Sequence, residues 1–310
     1  MGLHAIVGIM MLVQQALHPE SLTVTQQGKS IASIQRSEYV LPFSGLPIVN
    51  DDKLSKLMDE LDKLSYRAPV NAGLDGWGRI FPGQFGYKLD RRAFAEQFYS
   101  FMIEGTSSNL EVPQNKVYPK VDSELLESVK EKPIGQYTTY FNSNNKNRAH
   151  NILLAAQAIN NQFVFPGESF SFNQVVGNRT EQKGYLRAKI IVRGEISEGI
   201  GGGICQTSST LYNAVDRAGL QIVQRYSHSR RVPYVPPGRD ATVSWYGPDF
   251  VFQNKYNQPI LIRAISQGGQ VSVIIYASES INAKKREVPS ASKQLPQEVP
   301  DDQNVNGISP

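Results

Sequence analysis

The spacing of hydrophobic residues predicts helices and short strands in the first part of the chain. Asp51–Tyr66 is predicted as an amphipathic helix because its leucines recur at intervals of three and four. Arg91–Ile103 is predicted as a second helix, with phenylalanines at helical spacing and an aspartate placed to cap it. A strand pair is expected around Arg79–Leu89 and a helical turn at Ser123–Val129. Together these elements predict a compact α+β module over residues 51–132.

The pattern changes from about residue 134 onward. Asn147–Asn161 and Thr207–Ala218 have helical spacing, and Lys189–Val192 is predicted as a strand. After Leu220, turn residues separate most of the β-type runs LQIVQRYSH, ATVSWY, DFVFQN, PILIRAIS and QVSVIIYA. We therefore predict an α+β fold, in which the small N-terminal module precedes a β-rich mixed domain with two main helices over residues 134–280.

Three flanking segments lack such a pattern. Residues 18–50 are polar and punctuated by prolines, which predicts a linker, and the polar, proline-containing residues 281–310 predict a disordered tail. Residues 1–17 contain the apolar run Ala5–Val13, which has the length of the central region of a signal peptide. No Lys or Arg precedes this run and no clean cleavage site follows it. A signal peptide, a membrane anchor and a buried helix therefore all fit, and the first two predict an extracytoplasmic protein.

Composition narrows the function classes. The 310 residues include 40% hydrophobic and 19% charged residues, which fits a globular protein of about two domains. The net charge is +4 and the Lys and Arg residues are scattered, so we expect no nucleic-acid partner. A single Cys cannot form an intramolecular disulfide or the clustered ligand set of a zinc site. We expect neither a metal nor another cofactor, and the oligomeric state stays open.

The single cysteine is the first candidate for chemistry. Cys205 follows three glycines, Gly201, Gly202 and Gly203, and lies at the start of a predicted helix. A helix N-terminus stabilises a thiolate, and glycines let the backbone approach a ligand closely. Backbone N–H groups from Gly203 to Gln206 could also stabilise an oxyanion. The alternative is that Cys205 is a small buried hydrophobic residue beside a flexible turn.

His228 is the only histidine after Cys205, so it is the candidate general base. Asp240 could orient the imidazole, although it also fits an ordinary turn residue. Three arginines could bind a substrate carboxylate or simply form a solvated face: Arg230, Arg231 and Arg239. A catalytic pair requires Cys205 and His228 to lie near hydrogen-bonding reach. A fully buried Cys205 more than about 8 Å from His228 would instead indicate a binding protein.

Motifs from about Tyr137 to Ile262 resemble the VanW domain family, first associated with vancomycin-resistance gene clusters. They are NRAHNILLAAQAIN, FPGESFSFNQVVGNRTEQKGY, GIGGGICQTSSTLYNAVDRAGL, YSHSRRVPYVPPGRDATVSW and DFVFQN followed by QPILI. More loosely, PVNAGLDGWGRIFPGQFGYKLDRRAF and EGTSSNLEV resemble the peptidoglycan-binding module found ahead of some L,D-transpeptidase and VanW domains.

This resemblance implies an extracytoplasmic protein of the cell wall. Some members are understood to be L,D-transpeptidases that use the motif cysteine, which would make Cys205 the nucleophile acting on peptidoglycan stem peptides. Transpeptidation and L,D-carboxypeptidation both fit, and a non-catalytic peptidoglycan- or glycopeptide-binding protein linked to vancomycin resistance is the alternative. The predicted catalytic residues are Cys205, His228 and Asp240. The predicted substrate contacts are Gly202, Gly203, Gln206, Ser208, Arg230, Arg231 and Arg239.

Overall fold

The computed structural model describes residues 19–41, 48–105, 108–192 and 195–295. Within these residues the helices are α1 Asp51–Ser65, α2 Arg91–Glu104, α3 Ser123–Val129, α4 Lys146–Ile159, α5 Phe172–Val176 and α6 Ile204–Arg217. The first strands are β1 Ser21–Gln26, β2 Lys29–Gln35, β3 Gly73–Leu74, β4 Ile80–Phe81, β5 Gly86–Leu89, β6 Asn109–Glu111, β7 Gln114–Val117 and β8 Lys132–Tyr140. The remaining strands are β9 Gln162–Val164, β10 Ser169–Ser171, β11 Arg187–Val192, β12 Glu195–Ile200, β13 Gln221–Gln224, β14 Val251–Gln253, β15 Ile260–Gln267 and β16 Gln270–Ala277.

This mixture of helices and small sheets confirms the predicted α+β class. The chain forms two compact units. The first runs through Asn71 and includes Gly83–Lys120, and the second combines Ala72–Pro82 with the chain from Val121 onward. Among the helices that the structure describes, none is long and apolar enough to cross a membrane. The predicted leader, residues 1–17, lies outside the described residues.

The first unit contains a sheet in the segment that the sequence suggested was a linker. β1 pairs antiparallel with β2 and parallel with β6, so residues 21–35 are a β-hairpin and the linker prediction is wrong for them. The hairpin is ordered because Leu22, Val24 and Ile34 are buried in one core with the apolar faces of α1 and α2. The short length of these strands and their polar outward residues hid the alternation in the sequence.

The predicted module over residues 51–132 is also divided differently. β3 pairs with β4 and β5 pairs with β7, so the expected strand pair around Arg79–Leu89 is not a hairpin of its own. The β3–β4 hairpin belongs to the second unit, where Arg263 donates from its guanidinium to the Leu74 and Asp75 carbonyl oxygens. The helices of this region match their predictions, with Asp90 accepting from the Ala93 N–H as the cap of α2.

The second unit is built on the four-stranded antiparallel sheet β8-β16-β15-β9. α6 packs on β8 and α4 packs on β15, and both helices share one hydrophobic core with the sheet. Gly135 permits the close approach of α6, because a Cβ there would lie 2.2 Å from the Ala214 carbonyl oxygen. The ribbon β11-β12 leads into α6, and β13, the strand after α6, joins β14 and the earlier strand β10 in a three-stranded sheet. This arrangement fixes the N-terminus of α6, where Cys205 lies.

The segment predicted as a disordered tail is packed against the second unit as far as residue 295. Ile281 and Val288 are buried, and Arg217 donates to the Val288 carbonyl oxygen at 2.6 Å. The Tyr137 hydroxyl donates to the Pro289 carbonyl oxygen at 2.9 Å. These contacts hold a segment whose polar composition suggested disorder, so that prediction is wrong for residues 281–295. Residues 296–310 lie outside the described residues.

We expect this packed segment to stabilise the protein measurably. Replacing Ile281 and Val288 together with alanine should lower the free energy of unfolding by about 2–4 kcal/mol, because both side chains fill the core. The matched control is Leu295→Ala, which removes a side chain that is mostly exposed. Urea unfolding of the full chain measures the difference. Equal midpoints for the double variant and the control would contradict this account.

Candidate active site

The three glycines before Cys205 serve a tight turn between β12 and α6. Gly203 is the N-cap of α6 with φ at 107°, and Gly201 also has a positive φ of 84°, a region that favours glycine. Gly202 is buried, and a Cβ there would lie 2.6 Å from the Lys189 carbonyl oxygen. A Cβ on Gly203 would lie 2.9 Å from the Arg148 Cγ. The close approach that these glycines allow is therefore to the protein's own β11 and α4.

Gly202→Ala is expected to reduce stability by about 2 kcal/mol or more, because the new methyl group would collide with backbone atoms that cannot rotate away. Gly76→Ala is the control, since a Cβ at that position meets nothing within 4 Å. Thermal unfolding followed by circular dichroism compares the two variants. A melting temperature for Gly202→Ala equal to that of the control would show that the glycine turn tolerates a side chain.

Cys205 is the second residue of α6, and its side chain is partly exposed. The Sγ atom lies 3.8 Å from the Thr242 Oγ1 and 3.5 Å from the Val243 carbonyl oxygen. The loop carrying these two residues was predicted as a strand from the run ATVSWY, but it is irregular. Its backbone is held elsewhere, since the Thr242 N–H donates to the Tyr226 carbonyl oxygen. This loop therefore covers one side of the Cys205 thiol.

Asp240, His228 and the Cys205 thiol lie next to one another in that order, and we call these three residues the relay. The Asp240 Oδ2 lies 2.6 Å from the His228 Nδ1 and accepts from the His228 backbone N–H at 2.6 Å. The imidazole and the Cys205 thiol interact electrostatically, and each shifts the pKa of the other. Because Nδ1 is engaged by Asp240, Nε2 is the nitrogen left to face the thiol. The structure therefore brings together the three residues that the sequence suggested as a catalytic set.

The electrostatics of this relay favour a thiolate–imidazolium pair. Burial alone lowers the pKa of His228, but its hydrogen bonds to Asp240 and Cys205 outweigh burial and raise the pKa to about 9. Burial alone would raise the pKa of Cys205, and the hydrogen bond and charge of His228 lower it below the usual thiol value. The pKa of Asp240 is likewise lowered, against the effect of burial, by its hydrogen bonds from His228. The arrangement therefore increases the fraction of Cys205 present as the reactive thiolate.

Sequence reasoning missed the residues that support this relay. Arg225 donates from Nε to the Asp240 carbonyl oxygen at 2.7 Å, and its Nη2 lies 3.5 Å from the Asp240 Oδ1. Arg179 interacts electrostatically with Cys205 and donates to the Asn173 Oδ1 at 2.7 Å. Both arginines are far from Cys205 along the chain. Arg179 lies in the motif FPGESFSFNQVVGNRTEQKGY, but the sequence alone does not show that it lies near Cys205. Their positions depend on the tertiary packing of β13 and α5.

The residues predicted to contact substrate separate into two groups. Arg230 and Arg231 are exposed and, with His228 and Asp240, line a pocket of about 230 Å³. Arg239 instead donates to Asn213 at 2.7 Å and to Asp216 at 2.8 Å, so its charge is used inside the protein. The exposed pair therefore keeps the predicted position beside the relay, whereas Arg239 is a scaffold residue.

Two of the predicted motif contacts are also buried. Gln206 is fully buried, accepts from the Arg148 guanidinium at 2.6 Å and donates to the Thr139 hydroxyl at 3.0 Å. Ser208 is buried on the same helix. Gly202 and Gly203 pack closely against β11 and α4, and Gln206 and Ser208 are buried at the start of α6. The sequence motif is therefore largely structural around its cysteine.

The helix start still offers one backbone donor beside the thiol. The N–H groups of Ile204 and Gln206 donate to the carbonyl oxygens of Gly201 and Gly203. For the Cys205 N–H, the part of the chain that the structure describes supplies no acceptor. This N–H is the group best placed to stabilise an oxyanion formed at the thiol. Across the same described residues, no cluster of three His, Cys, Asp or Glu side chains could hold a metal ion.

The fold and site define an α+β protein whose single cysteine lies at a helix start beside a histidine–aspartate pair. The chain contains a VanW-like domain. The family model described as VanW like protein matches residues 147–276, which agrees with the resemblance seen in the motifs. This match does not reach residues 51–132, so the N-terminal peptidoglycan-binding module stays a prediction.

Two relatives cover the chain to different extents. The chain is 58% identical over 294 residues to "Uncharacterized protein YoaR" of Bacillus subtilis (strain 168), covering 95% of this chain and 97% of that protein. It is 32% identical over 104 residues to the Vancomycin B-type resistance protein VanW of Enterococcus faecalis (strain ATCC 700802 / V583), covering 32% of this chain and 38% of that protein. No solved structure gives a significant match.

Proposed function

We propose that this protein acts outside the cytoplasm on the cell wall, as a cysteine-dependent acyltransferase of peptidoglycan stem peptides. The observation that carries the proposal is the relay in which the His228 Nδ1 lies 2.6 Å from the Asp240 carboxylate and the imidazole interacts with the Cys205 thiol and lowers its pKa. The VanW-like family match and the name of the Enterococcus relative support a connection with the cell wall or vancomycin resistance. The N-terminal apolar run supports export.

The first half-reaction forms a thioester. The Cys205 thiolate attacks the carbonyl carbon of the third residue of a donor stem, and the Cys205 N–H stabilises the resulting oxyanion. As the tetrahedral intermediate collapses, the C–N bond to the terminal D-residue breaks. The His228 imidazolium gives its Nε2 proton to the departing amine, and Asp240 keeps the ring in the orientation that this transfer needs.

The second half-reaction restores the enzyme. An amine from a neighbouring stem attacks the thioester carbonyl carbon and loses a proton to the His228 Nε2. The C–S bond then breaks, so Cys205 leaves as a thiolate and a new amide joins the two stems. With water in place of the amine, the product is a shortened stem with a free carboxylate. The same site would then act as an L,D-carboxypeptidase.

The pocket beside the relay supports an anionic peptide as substrate. Arg230 and Arg231 line the pocket that His228 also lines, and both arginines are exposed. Stem peptides carry carboxylates, and a guanidinium binds a carboxylate through paired, charge-assisted hydrogen bonds. We propose that one of these arginines holds a stem carboxylate while Cys205 attacks the neighbouring carbonyl group.

The test is to incubate the purified protein and its Cys205→Ala variant with tetrapeptide-stem muropeptides and to analyse the products by mass spectrometry. We expect cross-linked dimers or tripeptide stems from the unchanged protein and none from Cys205→Ala. The control His150→Ala changes a histidine on α4 that contacts the Gly184 carbonyl oxygen, and it should form product like the unchanged protein. Equal product from Cys205→Ala, or no product from any of the proteins, would overturn the proposal.

A further inference from the structure

The loop that touches the catalytic thiol also displays two aromatic rings. Thr242 and Val243 contact the Cys205 Sγ, and Trp245 follows two residues later. Consecutive Cα atoms are about 3.8 Å apart, so the Trp245 Cα lies within about 8 Å of the Val243 Cα. The side chain of Trp245 is 40% exposed and that of Tyr246 is 93% exposed. Tyr246 therefore lies almost wholly in solvent, and Trp245 is partly exposed next to it, beside the candidate site.

The loop that carries these rings is a turn held by several hydrogen bonds. The Ser244 N–H donates to the Pro248 carbonyl oxygen at 2.9 Å, and the Gly247 N–H donates to the Ser244 carbonyl oxygen at 3.3 Å. The Asn173 side-chain amide donates to the carbonyl oxygens of Ser244 and Pro248, at 2.9 and 3.1 Å. One buried asparagine thus ties both ends of the turn, which holds Trp245 and Tyr246 outward on a fixed base.

These rings contribute little to the hydrophobic core. The two ring centroids are 6.4 Å apart at an interplanar angle of 72°, so the rings contact each other edge to face. Phe250, only a few residues further on, is fully buried and packs against Tyr212. Exposing a large aromatic side chain forgoes the stabilisation that burial would give, and aromatic residues with a polar edge are frequent in binding surfaces.

We propose that Trp245 and Tyr246 form a sugar-binding platform that holds the glycan portion of the substrate beside Cys205. The assignment of the sugar as part of the substrate rests on the proposed function. A stem peptide is joined to a sugar, and the attacked carbonyl belongs to its third residue. At about 3.3–3.6 Å per extended residue, the sugar would lie about 10 Å from the thiol, within the range that the loop spans.

The chemistry of the loop favours a sugar over a lipid surface. A pyranose ring has an apolar C–H face and a rim of hydroxyl groups, which suit an aromatic face with a polar edge. Membrane-binding segments carry Lys or Arg next to their aromatic residues. Residues 241–250 contain neither, and their one charged residue is the acidic Asp249. We therefore assign the platform to an uncharged carbohydrate.

Tryptophan fluorescence tests binding independently of catalysis. The chain has two tryptophans, so a Trp77→Phe background leaves Trp245 as the reporter. We expect a saturable change in its emission with chitotetraose, and Tyr246→Ala should weaken the affinity about tenfold. Cys205→Ala should bind chitotetraose as tightly as its parent, so the platform can stand even if acyl transfer fails. No saturable change, or unchanged affinity in Tyr246→Ala, would overturn the proposal.

A kinetic comparison tests whether the platform serves the reaction. With the Trp245→Ala/Tyr246→Ala variant, the loss in kcat/KM for a disaccharide-tetrapeptide donor should exceed the loss for the free tetrapeptide about tenfold. An equal loss on both donors would assign the rings to peptide binding and overturn the proposal. A third outcome is that the protein does not bind chitotetraose but needs both rings to co-sediment with phosphatidylglycerol vesicles. That result would show that the rings contact a membrane, and it would also overturn the proposal.

Discussion

Replacing His228 with alanine is expected to slow the alkylation of Cys205 by iodoacetamide at pH 6.5 at least about tenfold. The imidazolium is the strongest of the groups that lower the pKa of this half-buried thiol, and burial acts against it by raising that pKa. The thiolate of the variant should then appear only near or above the ordinary thiol pKa of about 8.5. The chain has one cysteine, so the reaction reports on Cys205 alone.

The shifted pKa values of Cys205 and His228 set the pH range over which Cys205 should react with iodoacetamide. In the unchanged protein, alkylation should extend to lower pH than in His228→Ala and decline as the pH falls through the lowered pKa of Cys205. The imidazolium is retained until the pH rises through about 9, which is the raised pKa of His228. His150→Ala should reproduce the profile of the unchanged protein. The same profile in His228→Ala would show that this histidine does not activate the thiol.

Asp240→Asn is expected to reduce turnover of a tetrapeptide-stem donor about a hundredfold or more, mainly in kcat. The Asp240 carboxylate contacts both the ring Nδ1 and the backbone N–H of His228. An amide keeps the shape but removes the charge that stabilises the imidazolium, and it can favour the wrong ring tautomer. The pKa of His228 should therefore fall, because the contact with Asp240 is one of the causes that raise it.

Steady-state kinetics and a pH titration of His228 by NMR measure the two consequences of Asp240→Asn. Asp75→Asn is a matched control, because the Asp75 carboxylate accepts hydrogen bonds from Trp77 and Arg79 in the β3–β4 hairpin. The control should keep both the kcat and the pKa of His228. An unchanged kcat in Asp240→Asn, with the fold intact, would reduce Asp240 to an ordinary turn residue.

Local sequence pattern predicted the helices well. The leucines of α1 and the Asp90 cap of α2 carry their information in adjacent residues. The start of α6 was predicted at Thr207 because no Ser, Thr, Asp or Asn marks the true start, and a left-handed Gly203 caps the helix instead. The hairpin within residues 18–50 was missed because its strands gain their stability from long-range burial against α1 and α2.

The candidate site was predictable in residue types but only partly in geometry. Cys205, His228 and Asp240 stood out because each was a rare or well-placed reactive group. The sequence could not show that Arg239 bonds to Asp216, because that pairing depends on how the 236–240 loop lies along α6. It also could not show that Gln206 bonds to Thr139 of β8. In both cases a polar side chain of a type suited to substrate binding instead makes hydrogen bonds within the protein.

The central claim is that Cys205 becomes acylated by a peptidoglycan stem. Intact-protein mass spectrometry after brief mixing with a tetrapeptide-stem muropeptide measures this directly. The account predicts an added mass equal to the donor stem minus its terminal D-residue, located on Cys205 by proteolysis and lost when an acceptor amine is supplied. An added mass on another residue, or none while products accumulate, would contradict the claim.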